Sequence, residues 1–137
     1  MFVRGQCLCG KVRYQIPDSP KYIFNCHCTI CRERSGAPFT TWLLYNNQSV
    51  SITKGDLSYF ESNPNVMRGF CKKCGTDISW INKEKSKWIG LTLGTCQNQN
   101  QFKPSSDIWV RSKLEWVILD PKIDKYLKGP FEKNDSE

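Results

Sequence analysis

Cysteine is the residue whose type and spacing carry the most chemistry in this chain. Seven of the eight cysteines stand in three short clusters, and Cys96 stands alone; the clusters are Cys7/Cys9, Cys26/Cys28/Cys31 and Cys71/Cys74. Disulfides would be the alternative to metal binding. The N-terminal residues contain no apolar export segment, so we expect a cytoplasmic protein whose thiols stay reduced. The clusters therefore predict metal sites, with zinc as the metal and two ions per chain.

The pair Cys71 and Cys74 is the strongest single motif. Two intervening residues and a following glycine, Gly75, form a tight turn that brings both sulfurs to one ion. A thioredoxin-type redox pair would need a helix after the first cysteine, and strand-like sequence stands there instead. Cys7 and Cys9 are two positions apart, so their side chains share one face of an extended chain. Together the two pairs supply the four thiolates of a closed, structural zinc site.

The middle cluster offers three thiolates within six residues: Cys26, Cys28 and Cys31. Three protein ligands and one free position are typical of a reactive zinc. The only histidine, His27, lies between two ligands and should point away from them if the segment is extended. Cys96 is the other residue that could close the site, although a lone cysteine is more often a small core side chain. We expect an open fourth position, filled by water or a thiol.

Short alternating segments and frequent turn residues predict a mainly β fold with few helical turns. We expect one zinc-binding domain over residues 1–128 and a disordered tail over 129–137. Residues 50–52 and 57–59 read as a hairpin, and residues 29–35 and 121–128 as the two helical stretches. No apolar run is long enough to span a membrane.

The formal net charge of +7 has no strong functional meaning. It falls to +4 once four thiolates around one zinc contribute −2 and three around a second contribute −1. No stripe of basic residues with interleaved aromatic residues is evident, so we do not expect a nucleic-acid partner.

The cysteine motifs resemble those of the glutathione-dependent formaldehyde-activating enzyme family, which also includes centromere protein V. The similarity extends over nearly the whole chain and includes these segments: Gly5–Tyr14, Cys26–Arg32, Ser35–Phe39, Phe70–Thr76, Ile108–Trp109 and Ser112–Trp116. The resemblance implies coiled antiparallel sheets. It also implies the same pairing, with Cys7, Cys9, Cys71 and Cys74 on one zinc and the middle cluster on the other. Many members carry histidine where this chain has Asp107, and Cys96 is unusual for the family.

The resemblance implies a carbon–sulfur lyase that forms or cleaves an S-hydroxymethyl adduct of glutathione or a related thiol. A fourth thiolate would make the open zinc site more negative, and Arg32, with Arg34 behind it, is the candidate cation. Trp109 is the aromatic residue that the resemblance places near the glutathione. The alternative is a non-catalytic protein, either a zinc-stabilised binding module or a glutathione carrier.

Overall fold

The structure, a computed structural model, describes residues 1–85 and 87–129. These residues form one short α-helix, α1 (Thr29–Ser35), and eleven strands. The strands are β1 (Phe2–Gln6), β2 (Arg13–Pro17), β3 (Tyr22–Cys26), β4 (Thr40–Asn46), β5 (Ser51–Lys54), β6 (Ser58–Asn63), β7 (Val66–Phe70), β8 (Asp77–Asn82), β9 (Trp88–Thr92), β10 (Ser106–Ile108) and β11 (Asp124–Lys125). Short 3₁₀ turns join several of them. The predicted tail lies outside the described residues, except for Gly129.

Two sheets contain all of these strands. The smaller has the order β1-β2-β5, and the larger has the order β11-β10-β3-β4-β9-β8-β7-β6. Neighbours are antiparallel except that β10 runs parallel to both β3 and β11. The predicted mainly β, mostly antiparallel fold is therefore confirmed. None of the described helices is long and apolar enough to cross a membrane.

Strand β4 divides the interior of the molecule into two layers. Four consecutive residues, 42–45, are buried, because the central strand of a covered sheet packs on both faces. Leu43 belongs to the core that includes Tyr14 of the small sheet. Trp42 and Leu44, which alternate with Leu43 and so point to the opposite face, belong to a second apolar cluster. The large sheet thus has one face toward the small sheet and another that carries its own apolar layer.

Two of the local predictions are wrong and one is confirmed. The predicted hairpin does not form, because β5 pairs with β2 in the small sheet while β6 pairs with β7 in the large sheet. The C-terminal stretch 121–128 contains the edge strand β11 rather than helix. Both residues of β11 pair with β10, and this pairing provides hydrogen bonds for their backbone groups. Local sequence propensity does not reveal such a long-range pairing. The helix predicted over 29–35 is present as α1.

Two candidate metal centres and a cavity

The first centre joins the two sheets through four cysteines. Cys7 and Cys9 follow β1 of the small sheet, whereas Cys71 and Cys74 lie in the turn between β7 and β8 of the large sheet. All four Sγ atoms lie within 4.8 Å of one another. The Sγ atoms of Cys7 and Cys9 are 3.6 Å apart, and those of Cys9 and Cys71 are 3.8 Å apart. A tetrahedron with Zn–S bonds of about 2.3 Å has edges of about 3.8 Å, so the four sulfurs fit one zinc ion.

Each half of this centre is a turn that a glycine closes onto the carbonyl of the first cysteine, over three residues in one half and four in the other. The carbonyl of Cys7 accepts from the Gly10 amide at 3.0 Å, and the carbonyl of Cys71 accepts from the Gly75 amide at 2.7 Å. Gly10 and Gly75 both have φ near +80°, at 77° and 79°, a region that side chains with a Cβ rarely adopt. The glycine after each cysteine pair therefore lets the chain turn back and present both sulfurs to one point.

At the first centre the pKa values of Cys7 and Cys74 are lowered toward the thiolate, the form that binds metal, whereas the pKa of Cys9 beside the other sulfurs is raised to about 11. The Thr76 hydroxyl, with its oxygen 3.2 Å from the Cys74 sulfur, lowers the pKa of that thiol to about 5. The Val12 amide donates to the Cys7 sulfur at 3.3 Å. Thr76 also accepts from the Leu8 amide at 3.0 Å, which ties one turn directly to the other. The centre is closed, with four protein sulfurs and no free position.

The second centre consists of Cys26, Cys28 and Cys31, whose Sγ atoms also lie within 4.8 Å of one another. Cys26 ends β3, and Cys28 is the N-cap of α1, where its sulfur accepts from the Cys31 amide at 3.2 Å. Hydrogen bonds from the Cys26 and Cys31 thiols lower the pKa of Cys28. Hydrogen bonding to the Cys28 thiolate in turn raises the pKa of Cys26. The three sulfurs fit three corners of the same kind of tetrahedron.

Neither residue considered as a fourth ligand reaches this centre. The buried His27 ring donates from Nε2 to Oδ1 of the equally buried Asp107, 2.9 Å away, because a carboxylate can only accept. Cys96 lies in the core between the sheets, 3.1 Å from the Tyr14 hydroxyl, and burial raises the pKa of its thiol. Among the described residues, the second centre therefore has three sulfur ligands.

A cavity of about 350 Å³ opens onto the second centre. Cys26, Cys28 and Cys31 line it, whereas none of the four cysteines of the first centre does. Its remaining wall is largely apolar, with Phe24, Ile30, Trp42, Val66, Trp80, Ile108 and Trp109, and its uncharged polar members are Thr29, Asn63 and Ser112. Close packing of Trp42 and Trp80 depends on Gly90 of β9, where a Cβ would come within 3.2 Å and 3.4 Å of the two rings. The volume is within the range of small-molecule sites.

The cavity also contains a buried cation that the sequence analysis missed. Arg68 of β7 is 5% exposed, and its Nη1 lies 3.9 Å from the Cys31 sulfur. Its Nε donates to the Ser62 hydroxyl at 3.2 Å, and its guanidinium lies 5.9 Å from the centre of the Trp42 ring. A buried guanidinium needs a negative partner, and the cysteine sulfurs supply it. The sequence does contain a signal for this buried cation, because the arginine lies among apolar residues of a strand (Val66-Met67-Arg68-Gly69-Phe70).

The predicted substrate residues occupy three different environments. Nη1 of Arg32 donates to the carbonyl oxygens of His27 and Ser112, which ties α1 to the turn after β10. Arg34 forms an ion pair with Asp77, in which Nη2 lies 2.8 Å from Oδ1 in an orientation that is poor for a hydrogen bond. Its guanidinium carbon lies 5.0 Å from the centre of the Phe70 ring. Trp109 alone of the three lines the cavity.

A family model of the glutathione-dependent formaldehyde-activating enzymes matches residues 2–112, which include both cysteine centres. The chain belongs to this family. A Halomonas elongata protein provisionally named as a glutathione-dependent formaldehyde-activating enzyme is 28% identical over 134 aligned residues, which span 89% of this chain and 83% of the relative. A crystal structure of a Rhodobacter sphaeroides protein has the same fold, with a TM-score of 0.58 and 18% identity over 89% of this chain and 98% of that one.

Asp107, at the position where the family resemblance leads us to expect histidine, has a clear structural setting. Asp107 is held by two donors, the His27 ring and the Asn25 side-chain amide at 3.1 Å. Asn25 in turn accepts from the Thr41 hydroxyl at 2.6 Å. These contacts fix the backbone on which Cys26 and Cys28 stand. Asp107 therefore contacts His27, which lies between two cysteines of the second centre, and it does not line the cavity beside that centre.

Proposed function

We propose that the protein is a zinc-dependent carbon–sulfur lyase that forms or cleaves an S-hydroxymethyl-type adduct of glutathione or a related thiol. The observation that carries this proposal is the position of the cavity, which opens onto the three-cysteine centre and not onto the four-cysteine centre. The proposal includes two zinc ions per chain. The ion at Cys7, Cys9, Cys71 and Cys74 is structural, and the ion at Cys26, Cys28 and Cys31 has an open position.

A zinc ion at the three-cysteine centre would lower the pKa of a substrate thiol and hold it as thiolate at neutral pH. The chain itself then has two tasks. Arg68, beside the Cys31 sulfur, offsets the negative charge that a fourth sulfur adds to three thiolates. The aromatic walls exclude water from the reacting carbon, which strengthens the contact between Arg68 and the sulfurs.

The glutathione contacts follow from the rim of the cavity. Trp109 lines the wall and is proposed to contact the bound thiol. Arg32 is proposed as a positioning residue, because it connects the carbonyl between two of the cysteines to Ser112 of the cavity wall. Arg34, with its Asp77 partner, is proposed to attract the glutathione carboxylates from outside the cavity. A reducing compartment such as the cytoplasm would keep all seven thiols available for metal.

Metal content and thiol titration test this proposal together. Elemental analysis of protein prepared under reducing conditions should give two zinc ions per chain. In cobalt-substituted protein, glutathione should change the absorption of one of the two metal sites, and S-methylglutathione, which lacks the thiol, should not. Exchange of ¹³C-formaldehyde between its hydrate and the glutathione adduct, followed by NMR, should be faster with the zinc protein than without it.

The possible outcomes of these experiments distinguish a lyase from the two non-catalytic alternatives, a glutathione carrier and a binding module. A thiol-dependent spectral change without faster exchange would indicate a glutathione carrier. No spectral change would indicate a closed second site and a binding module, and the lyase proposal would then be wrong.

A further inference from the structure

The cavity is larger than a one-carbon substrate requires. Formaldehyde has two heavy atoms and needs about the space of two water molecules, each of which takes about 30 Å³ in the liquid. The space beside the three sulfurs is about 350 Å³. Most of this space would hold no substrate atom if the reacting carbon carried only hydrogen. Apolar side chains surround that space, so water gains little there and an apolar group would gain much.

Glutathione does not account for the cavity either. The tripeptide carries two carboxylates and one ammonium group, which need charged or strongly polar partners when they leave water. Among the described residues that line the cavity, Arg68 is the one charged side chain apart from the cysteines, and it already contacts the Cys31 sulfur. The charged ends of glutathione therefore fit the rim, with only its sulfur at the centre. The apolar volume is left for the other reactant.

Trp109 is held against this volume in a costly backbone conformation. Its φ and ψ are 56° and 38°, in the left-handed region, which bulky residues rarely adopt. Its amide donates to the Lys128 carbonyl at 2.7 Å, and its own carbonyl accepts from the Ser112 amide at 3.0 Å. Backbone strain of this kind is concentrated at functional sites, where it fixes the direction of a side chain.

We propose that this cavity selects aldehydes that carry an apolar, preferably aromatic, substituent, and that Trp109 sets this preference. The inference rests on the proposed function. The thiolate sulfur forms a bond to the carbonyl carbon, the π electrons of C=O move to oxygen, and that oxygen takes the proton that the thiol released. No oxidation state changes overall, and the product is an S-(1-hydroxyalkyl)glutathione with its substituent against Trp42, Trp80 and Trp109.

Two arms test the inference on the zinc-loaded protein. In the first, the acceleration of adduct formation with glutathione is compared for acetaldehyde and phenylacetaldehyde, each relative to its uncatalysed reaction. We expect phenylacetaldehyde to be favoured at least about tenfold in kcat/KM, the scale of a well-packed apolar group. In the second, calorimetry compares S-ethylglutathione with S-(2-phenylethyl)glutathione, neither of which has a free thiol. The phenyl conjugate should bind at least about tenfold more tightly.

Trp109→Ala should remove most of both preferences, and Trp109→Phe should restore part of them. Trp116→Ala is the matched control, because Trp116 is 69% exposed and does not line the cavity. Acceleration that is equal for both aldehydes, or greater for acetaldehyde, would overturn the inference and leave the proposed function standing. No acceleration for either aldehyde, with the exchange of formaldehyde still accelerated, would also overturn the inference and leave the proposed function standing. No acceleration for the two aldehydes or for formaldehyde would overturn the proposed function. In that case the binding arm still decides the apolar preference. Equal binding of the two conjugates would overturn that preference. Tighter binding of the phenyl conjugate that depends on Trp109 would support it.

Discussion

The two cysteine centres use the same ligand type in opposite ways. The four-cysteine centre takes its ligands from two turns 62 residues apart, between Cys9 and Cys71, and so connects the small sheet to the large one. The three-cysteine centre takes all its ligands from residues 26–31, at the junction of β3 and α1. One centre closes a long loop with a full tetrahedron, and the other lies beside a cavity with one corner free of protein ligands.

On the proposed function, this difference separates stability from reactivity within one fold. A structural zinc supplies about 10–16 kcal/mol of apparent binding free energy, which is similar to the whole stability of a small domain. That contribution is most useful where the ligands are far apart along the chain. A centre made of local ligands contributes less to the fold, so its geometry can be left incomplete for a substrate. The large sheet keeps the two centres apart. Cysteines of the first centre belong to the apolar layer on one face, and cysteines of the second centre belong to the layer on the other face.

The largest expected effect is on stability, where Cys71→Ser should be far more damaging than Cys28→Ser. Cys71→Ser removes a ligand that joins the two sheets, so we expect a loss comparable with the whole free energy of unfolding, about 10 kcal/mol. Cys28→Ser breaks only local contacts and should cost no more than about 3 kcal/mol. Thermal and urea unfolding in the presence of zinc measure both, with Cys96→Ala as the control for loss of a buried sulfur. Equal losses for the two serine variants would contradict the division between the centres.

A smaller effect concerns the charge beside the open centre. Arg68→Ala should weaken thiol binding about ten- to a hundredfold, because a hydrogen bond to a charged group contributes about 1.5–3 kcal/mol. The loss should be similar for glutathione and 2-mercaptoethanol, since Arg68 acts on the sulfur rather than on the carboxylates. Arg68→Lys should restore part of the affinity. Titration of the cobalt-substituted variants, after their metal content and melting curves have been matched to the parent, provides the measurement.

Arg32→Ala is the matched comparison for that experiment. Its guanidinium binds two backbone carbonyls instead of the sulfurs, so its removal should weaken thiol binding less than Arg68→Ala does. A larger loss for glutathione than for 2-mercaptoethanol in Arg32→Ala would show that Arg32 contacts the carboxylates directly. If Arg68→Ala binds both thiols as the parent does, Arg68 has no part in holding the thiolate.

The sequence predicted the ligand groups far better than the surroundings of the second centre. Spacing alone places Cys71 beside Cys74 and Cys26 beside Cys28, because a turn of two or three residues leaves little conformational choice. Arg68 lies 37 residues from the sulfur it contacts, and only the pairing of β7 within the large sheet brings it there. Trp42 and Trp80 pack in an apolar layer, as strand aromatic residues usually do, but that layer has a cavity. Long-range pairing and unfilled space are not encoded in local patterns.

The smallest expected effect is the pH dependence of stability, in which Cys74 and Cys96 should have opposite signs. The pKa of Cys74 is lowered to about 5, against 9.0 for an ordinary thiol. Between those pH values the unfolded chain binds a proton at Cys74 that the folded chain does not bind. The contribution of Cys74 to stability is therefore complete above about pH 9 and is lost as the pH falls toward 5. Burial raises the pKa of Cys96 above 9.0, so the folded chain there keeps a proton that the unfolded chain loses.

Stability should therefore rise with pH up to about 9 and then fall, with a slope from Cys96 of at most about 1.4 kcal/mol per pH unit. Cys96→Ala should reduce the fall between pH 9 and 10, of which Cys9, whose pKa is also raised, keeps a part, and it should leave the rise below pH 9 in place. The interval ends at pH 10 because the buried Tyr14, whose pKa is also raised, starts to contribute above its ordinary value of 10.0. Urea unfolding at half-unit steps, in reductant and with zinc in fixed excess, measures both limbs. A fall that is unchanged in Cys96→Ala would assign it wholly to the metal centres, and the contrast between Cys74 and Cys96 would then be wrong.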